Sequence, residues 1–217
     1  MSYLKEIKIV LVDDHKLLRD GLRNIIEQKP NMHIIGEASD GREAIKICSK
    51  LEPNVIVMDV AMPGLNGIEA AKQIHKNQPD VKIIGLSMHS GKQFIQSMFT
   101  AGAWGYLLKD GDSDELIIAI STVMQNKKYL SKDINQDFLT VLNENKSLKK
   151  TQLSSREKEV LQLISEGNSS KIIGELLFLS PKTVDVHRNN IMKKIDLFTI
   201  PELTKYAIQI GLTSLDV

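Results

Sequence analysis

Short apolar runs alternate with longer amphipathic stretches along the first 126 residues of the chain. The strand-like runs, in chain order, are IKIVLV, HIIGEA, NVIVMD, VKIIGLS and GYLLK. The helix-like stretches that follow them extend over Leu17 to Gln28, Arg42 to Leu51, Ile68 to Asn77, Phe94 to Ala101 and Asp114 to Gln125. Five strands alternating with five helices predict a doubly wound α/β domain with a five-stranded parallel sheet over residues 1 to 126.

The pattern changes after residue 126. Residues 127 to 152 include the polar sequence NENKSLKKTQ and lack a core pattern, so we predict a linker there. A short helix is predicted at Asp133 to Leu142, before the most polar part. Residues 153 to 217 contain four short helical patterns and no strand-like run, which predicts a small all-α domain.

Capping signals locate the helices of this second domain. Ser154 stands three residues before Glu157, the spacing of a capping box at a helix start. A second helix is predicted at roughly Ser170 to Phe178, and a third, PKTVDVHRNNIMKKI, has Ser180 as its N-cap and Pro181 at its first position. Two helices separated by a tight turn, the second of them long and basic, predict a helix-turn-helix.

Composition narrows the class of protein. The hydrophobic fraction is 42%, which suits a packed globular protein. Cys48 is the only cysteine, so an internal disulfide or a cysteine metal cluster is excluded and a reducing compartment is expected. The sequence shows neither a signal-peptide pattern nor an apolar run of about 20 residues, so we expect a cytoplasmic protein without a membrane segment.

Charge is spread unevenly along the chain. The net charge is +1, with −2 on residues 1 to 126, +3 on residues 127 to 150 and 0 on residues 151 to 217. No segment is a polybasic arm. Any contact with nucleic acid must therefore come from a local patch on a folded element.

Polar side chains stand at the ends of four predicted strands. Asp13 and Asp14 follow the first strand, and Asp59 ends the third. The fourth strand ends in Ser87, and Lys109 comes at the end of the fifth. Because the carboxyl ends of parallel strands share one edge of the sheet, we expect these five side chains to lie together.

Clustered carboxylates are stable when a divalent cation neutralises them, and oxygen ligands suit Mg²⁺. A cation together with a lysine can also stabilise the charge of an incoming phosphoryl group. Asp59 lies between the other groups of the predicted cluster and is the predicted nucleophile that forms an aspartyl phosphate. The alternative for any one of these residues is a polar loop position without a role.

The sequences VDDH, MDVAMPGLNG, LSMHS and YLLKD, in this order and spacing, resemble the receiver domain of bacterial two-component response regulators. The resemblance covers nearly all of residues 5 to 126. It implies a phosphoacceptor at Asp59 and metal ligands at Asp13, Asp14, Asp59 and the backbone carbonyl of Ala61. It also implies a switch hydroxyl at Ser87, a switch aromatic at Tyr106 and a phosphate-pairing lysine at Lys109. Pro63 and Gly64 would form a tight turn after the third strand. The alternative for Tyr106 is a half-buried packing aromatic.

The alternative to a receiver for residues 1 to 126 is an enzyme. A phosphatase of the haloacid-dehalogenase type also uses an aspartyl nucleophile on a similar sheet, but it needs a second acid two residues later. That position is Ala61. We therefore expect self-phosphorylation from a donor and slow self-hydrolysis, and no turnover of external substrates.

The third helix of the second domain has two distinct stripes at about 100° per residue. The inner stripe includes Val184, His187, Ile191 and Ile195, and we interpret His187 as a packing residue and not a ligand. The other side would face the major groove. The candidate DNA contacts are Lys182, Thr183, Asp185, Val186, Arg188, Asn189 and Lys193.

Residues 153 to 212 resemble the LuxR-type output domain through LSSREKEVLQLISEG, LSPKTVDVHRNNIMKKI and IPELTKYAIQIGL. The resemblance implies binding to double-stranded DNA as a dimer. The dimer commonly forms through the last helix. Two residues depart from the family pattern. Ile172 replaces the usual Glu, which removes a capping-box partner for Ser169, and Asp185 occupies a position that is often basic. A carboxylate at residue 185 can accept a hydrogen bond from cytosine N4 or pair with Arg188 or Lys182.

These features together predict a phosphorylation-dependent DNA-binding response regulator of the NarL/FixJ-like class. A sensor histidine kinase is the expected donor, Mg²⁺ the expected cofactor, and a homodimer the expected phosphorylated form. The expected mechanism is a population shift in which phosphorylated Asp59 recruits Ser87 and Lys109, Tyr106 follows, and the altered receiver releases or dimerises the output domain. The alternative is a phosphorylation-dependent adaptor whose helical half binds a protein through a charged face.

Overall fold

The computed structural model describes residues 6 to 134 and 153 to 213. Six strands form one sheet: β1 (Ile7–Val12), β2 (Met32–Ala38), β3 (Val55–Asp59), β4 (Lys82–Ser87), β5 (Gly105–Leu108) and β6 (Tyr129–Leu130). The helices between them are α1 (Lys16–Glu27), α2 (Gly41–Leu51), α3 (Gly67–Asn77), α4 (Lys92–Thr100) and α5 (Ser113–Met124). The predicted α/β alternation is confirmed.

The sheet is parallel throughout, in the order β2-β1-β3-β4-β5-β6. All five residues of β3 are buried, because helices cover both faces of the sheet. α1 and α5 pack on one face, and α2, α3 and α4 pack on the other. The strand order reverses between β1 and β3, so the crevice at their carboxyl ends is the topological switch point, where open α/β sheets bind ligands.

The prediction of five strands was wrong by one, since β6 extends the sheet beyond β5. The amide of Ser131 donates a 2.9 Å hydrogen bond to the carbonyl of Tyr106 on β5. Buried Glu115 on α5 accepts hydrogen bonds from the hydroxyls of Tyr129 (3.0 Å) and Ser131 (2.8 Å) and so fixes the new strand. A two-residue strand is too short to show a period of two, and it lies in the segment predicted as a linker.

The second described range contains α6 (Ser155–Ser165), α7 (Ser170–Leu177), α8 (Pro181–Ile195) and α9 (Ile200–Gln209) and no strand. The helix predicted at Asp133 to Leu142 lies outside the described residues, apart from Asp133 and Ile134 at a turn. Across the two described ranges, no helix has both the length and the apolar character needed to cross a membrane.

Local capping explains where these helices begin. Ser154 and Glu157 form the predicted capping box: the Ser154 hydroxyl accepts from the Glu157 amide at 3.2 Å, and the Glu157 carboxylate accepts from the Ser154 amide at 2.8 Å. Ser180 caps α8, with Pro181 at its first position, as predicted. Ser169 caps α7 through the amide of Ile172 alone, because Ile172 has no carboxylate to complete a box.

Candidate functional site

The strand register brings the acidic residues to one edge of the sheet. Val12 pairs with Met58, so Asp13 follows β1 at the level where Asp59 ends β3. Asp13 and Asp59 are 1% and 2% exposed, which is unusual for carboxylates unless they are paired. The Asp14 side chain is 29% exposed and lies at the mouth of the pocket.

Lys109 is the cation of this pocket. Its Nζ lies 2.8 Å from Asp59 Oδ2 and 2.8 Å from Asp13 Oδ2. Burial alone would lower the pKa of Lys109, but the attraction of the two carboxylates outweighs it and the pKa is raised. The ammonium is therefore charged and shared between the two acids.

The pocket lacks enough positive charge for its acids. Burial raises the pKa of Asp59 to about 6, the nearby Asp13 charge adds to the effect, and Lys109 opposes it. One ammonium cannot balance Asp13, Asp14 and Asp59 together. A hard divalent cation with oxygen ligands fits this deficit.

The ligand atoms available to a metal come from four residues. One such atom from each of Asp13, Asp14, His15 and Asp59 lies within 4.8 Å of the others. His15 was not among the predicted site residues, although VDDH places it directly after the acids; its Nδ1 is 3.1 Å from Asp13 Oδ1 and 3.0 Å from Asp14 Oδ1. Ala61 also lies at the pocket, because its amide donates a 3.1 Å hydrogen bond to Asp59 Oδ1.

The segment after Asp59 turns back sharply toward the pocket. Gly64 has a φ of +78°, which agrees with the predicted tight turn at Pro63 and Gly64. A Cβ on Gly67 would lie 2.0 Å from the Asp59 carbonyl oxygen, so only glycine fits where α3 starts against the end of β3. Asn66 caps α3 by accepting a 2.9 Å hydrogen bond from the Glu69 amide.

Ser87 and Tyr106 both contact His89, in the segment between β4 and α4. The Ser87 hydroxyl accepts a 3.1 Å hydrogen bond from the His89 amide, and the Tyr106 hydroxyl donates a 2.7 Å bond to the His89 carbonyl. Tyr106 is 0% exposed and so is fully and not half buried. The His89 ring stacks on Phe94 of α4 with centroids 4.6 Å apart. A movement of Ser87 would therefore reach α4 and Tyr106 through His89.

A second polar cluster, absent from the sequence predictions, joins the two halves of the chain. Gln162 on α6 is 2% exposed. Its Nε2 donates to the Met62 carbonyl at 2.9 Å, and its Oε1 accepts from Asn66 Nδ2 at 3.0 Å. Asn66 Nδ2 also donates to the Leu212 carbonyl at 3.0 Å. We name residues 62 to 66 the docking loop, because both ends of this loop bind the helical domain.

Glu166 contacts the middle of the docking loop. It accepts from the Gly64 amide at 3.3 Å, and burial raises its pKa although Gln162 and Gly64 lower it. The signal that could have identified this cluster is Gln162, a polar residue within the otherwise apolar run VLQLI.

Charged side chains surround this cluster. Lys158 Nζ lies 2.8 Å from Oε1 of buried Glu69, and Arg42 Nη2 lies 3.2 Å from Glu159 Oε2. Each ion pair joins a residue of the first half to one of α6. The Lys158–Glu69 pair is the more buried of the two, with side chains 17% and 2% exposed, so it contributes more to holding the halves together than the exposed Arg42 does.

The outward side of α8 is open to solvent. Val184 and Ile191 are buried in the core of the helical domain, and His187 and Ile195 are partly buried beside them, as the predicted inner stripe requires. Of the candidate DNA contacts, Lys182, Val186, Asn189 and Lys193 are exposed and Thr183, Asp185 and Arg188 are partly exposed. Contacts with the docking loop come from α6, Glu166 and Leu212 and leave these residues uncovered.

Comparison with known proteins identifies both halves. Residues 9 to 121 match the response regulator receiver domain, and residues 151 to 207 match the bacterial regulatory proteins of the luxR family. The response regulator UvrY of Escherichia coli strain K12 is 38% identical, over 95% of each chain. The transcriptional regulatory protein DegU of Brevibacillus brevis is 35% identical, over 88% of this chain and 89% of DegU.

A solved structure supports the same assignment. This chain matches the protein chain in the solved complex of the two-component response regulator RcsB with DNA, with a TM-score of 0.57 and 26% sequence identity. The match covers 95% of this chain and 100% of that chain. The chain belongs to the two-component response regulators that combine a receiver domain with a LuxR-type helix-turn-helix DNA-binding domain. Its relatives are transcriptional regulators, and this is the function of the class.

Proposed function

We propose that Asp59 accepts a phosphoryl group from a sensor histidine kinase and that this modification controls DNA binding by the helical domain. In the transfer, an Asp59 carboxylate oxygen forms a bond to phosphorus as the N–P bond of the donor phosphohistidine breaks and its imidazole leaves. The observation that carries this proposal is Lys109 Nζ, placed 2.8 Å from both Asp59 and Asp13 in a buried pocket. A buried ammonium at that point can pair with an added phosphoryl oxygen.

We assign the metal ligands to Asp13, Asp14, Asp59 and the backbone of Ala61. Bound Mg²⁺ would offset the negative charge of the pocket and of the phosphoryl group. The surplus of carboxylates over cations in the pocket supports this assignment.

Removal of divalent cations is expected to abolish phosphorylation of the protein by acetyl phosphate. Without the cation, the incoming phosphoryl group meets three carboxylates and one ammonium, and the repulsion is large at short range in a buried pocket. Intact-protein mass spectrometry with and without EDTA measures the adduct, and Mg²⁺ added after EDTA is the control. Full labelling in EDTA would contradict the metal assignment.

We further propose that phosphorylation acts on the helical domain through the docking loop, and that the phosphorylated protein binds DNA as a homodimer. The docking loop begins three residues after Asp59, and its ends bind Gln162 and Leu212. Ser87 and Tyr106 offer a second route, through His89 to α4. The population of the docked arrangement would then depend on the state of Asp59.

DNA binding by this chain is expected to fall steeply with salt. Lys182 and Lys193 are exposed on α8 and Arg188 is partly exposed, and contacts of such groups with phosphates release counterions. Raising the salt concentration from about 50 to 200 mM should lower the affinity of the protein for a selected duplex by roughly tenfold or more. Selection from random DNA, with and without acetyl phosphate, supplies the duplex.

The alternative function is a phosphorylation-dependent adaptor whose helical half binds a protein. That alternative would gain support if the folded, phosphorylated protein selected no duplex. Retention of DNA that did not respond to salt would also contradict the proposed use of α8.

We also propose that the chain does not turn over external substrates, because Ala61 leaves no acid at the second position after Asp59. The proposed division is a receiver that comprises residues 1 to 126 and extends through β6 (Tyr129–Leu130), a linker in the rest of residues 127 to 152, and a DNA-binding domain at 153 to 217. We propose that the protein is located in the cytoplasm, where both DNA and the kinase domain of a sensor are found.

A further inference from the structure

The contacts of Asp185 on the outward side of α8 distinguish the two roles available to this acid. Asp185 Oδ1 accepts a 2.8 Å hydrogen bond from the hydroxyl of Ser170, the first residue of α7. The same oxygen lies 3.1 Å from Arg188 Nη2, one turn further along α8. Lys182 and Arg188 each lie three positions from Asp185, and the ion pair forms with Arg188.

These contacts fix the acid from two sides. Ser170 belongs to the helix that packs against α8, so its hydroxyl holds the Asp185 carboxylate relative to the helix pair and not only to α8 itself. Asp185 and Arg188 side chains remain 44% and 36% exposed, so both heads reach the surface that would face DNA. A carboxylate without a partner at this surface would be repelled by DNA phosphates, and pairing reduces that repulsion.

The helical positions explain what the pair does to Arg188. At about 100° per residue, Arg188 lies about 60° beyond Asp185, away from the middle of the outward stripe marked by Lys193. An ion pair with Asp185 draws the guanidinium toward that stripe. The pair engages Nη2, and the planar guanidinium has five N–H donors, so donors remain for a second partner. Two N–H groups of arginine match O6 and N7 of guanine in the major groove.

We propose that Asp185 is a positioning residue for DNA recognition, which holds the Arg188 guanidinium for contact with one guanine in the major groove. This inference rests on the proposed DNA-binding function. Asp185 itself does not read a base, and Ser170 supports it from the neighbouring helix.

A double-mutant cycle tests the proposal on the full-length phosphorylated protein. Base preferences and affinities at fixed salt are measured for wild type, Asp185→Ala, Arg188→Ala and the double variant. We expect Arg188→Ala to lose preference at one guanine with a roughly tenfold or greater loss of affinity. Asp185→Ala should weaken preference at that same base pair, and it should change nothing further when Arg188 is already Ala.

Two further variants separate positioning from folding and from charge. Asp185→Asn keeps an acceptor for Ser170 but removes the charge that pairs with Arg188, so it should preserve thermal stability and still weaken the guanine preference. Glu175→Ala removes an exposed acid from α7, and it should leave every base preference unchanged. Circular dichroism confirms the fold of each variant.

The outcomes are distinct. If wild-type protein selects no duplex, the DNA-binding proposal fails and the inference fails with it. If wild type selects a duplex but Asp185→Ala changes preference at a cytosine that Arg188→Ala leaves intact, or if the two effects are additive, only the positioning role of Asp185 is overturned. A uniform change on all sequences for Asp185→Asn would overturn it as well.

Discussion

Asp59→Asn is expected to abolish the labile phosphoryl adduct that wild-type protein forms with Mg²⁺ and acetyl phosphate. The amide has nearly the size of the carboxylate but lacks the anionic oxygen that forms the bond to phosphorus. The fold should persist, because Lys109 keeps Asp13 as a partner at 2.8 Å and the pocket loses one of its crowded negative charges. Intact-protein mass spectrometry after a fixed incubation gives the adduct yield.

A matched variant distinguishes Asp59 from acids in general. Asp80 is exposed and precedes β4 at the opposite edge of the sheet, so Asp80→Asn should label like wild type. Circular dichroism shows whether Asp59→Asn is folded. A folded Asp59→Asn protein that labels as fully as wild type would refute Asp59 as the acceptor and would direct attention to Asp13 and Asp14.

The acidic pocket could be predicted because its residues follow directly from local patterns. Asp13 and Asp59 each come at the end of an apolar strand, and parallel strands bring such ends together whatever the rest of the chain does. His15 was overlooked because its contacts with Asp13 and Asp14 depend on the turn between β1 and α1. β6 was missed because two residues cannot show a strand period.

The contacts between the halves could not be predicted by the same reasoning. Gln162 and Asn66 are 96 positions apart, and no periodicity within either helix relates them. Asn66 has the sequence position of a helix cap, which explains its side chain without a second partner. On α8 the periodicity did predict the buried Val184 and Ile191, but the choice of Arg188 over Lys182 as partner of Asp185 required the structure.

Loss of Gln162 is expected to release the helical domain from the docking loop. Gln162→Ala removes three hydrogen bonds, to the Met62 carbonyl, the Asn66 side chain and the Asn66 amide, and the groups left behind would lose these partners in the docked arrangement. At about 0.5 to 1.5 kcal/mol for each of the three bonds, the docked arrangement loses about 1.5 to 4.5 kcal/mol, a roughly 10- to 2,000-fold change in its population ratio. Alanine suits a helix, so α6 should still form.

Hydrogen–deuterium exchange reports this release at defined amides. The Gly64 amide donates to Glu166, and the Asn66 amide donates to Gln162. Exchange of the peptide that contains both should rise in Gln162→Ala, while peptides from the core strands remain protected. Gln28→Ala makes the same chemical change at an exposed residue at the end of α1, and it should leave the docking loop unchanged.

Phosphorylation of wild-type protein is expected to raise exchange of the docking loop in the same way, because the loop begins three residues after Asp59. Linkage then requires the reverse effect: if an added phosphoryl group disfavours docking by a given factor, a variant that cannot dock must favour the phosphorylated state by up to that factor at equilibrium. Gln162→Ala should therefore hold a larger phosphorylated fraction than Gln28→Ala under identical donor concentration.

Unchanged protection of Gly64 and Asn66 in a folded Gln162→Ala protein would show that the halves do not dock in solution. Raised exchange without a change in phosphorylated fraction would show that docking is independent of Asp59, and control of DNA binding would then have to pass through Ser87, Tyr106 and α4.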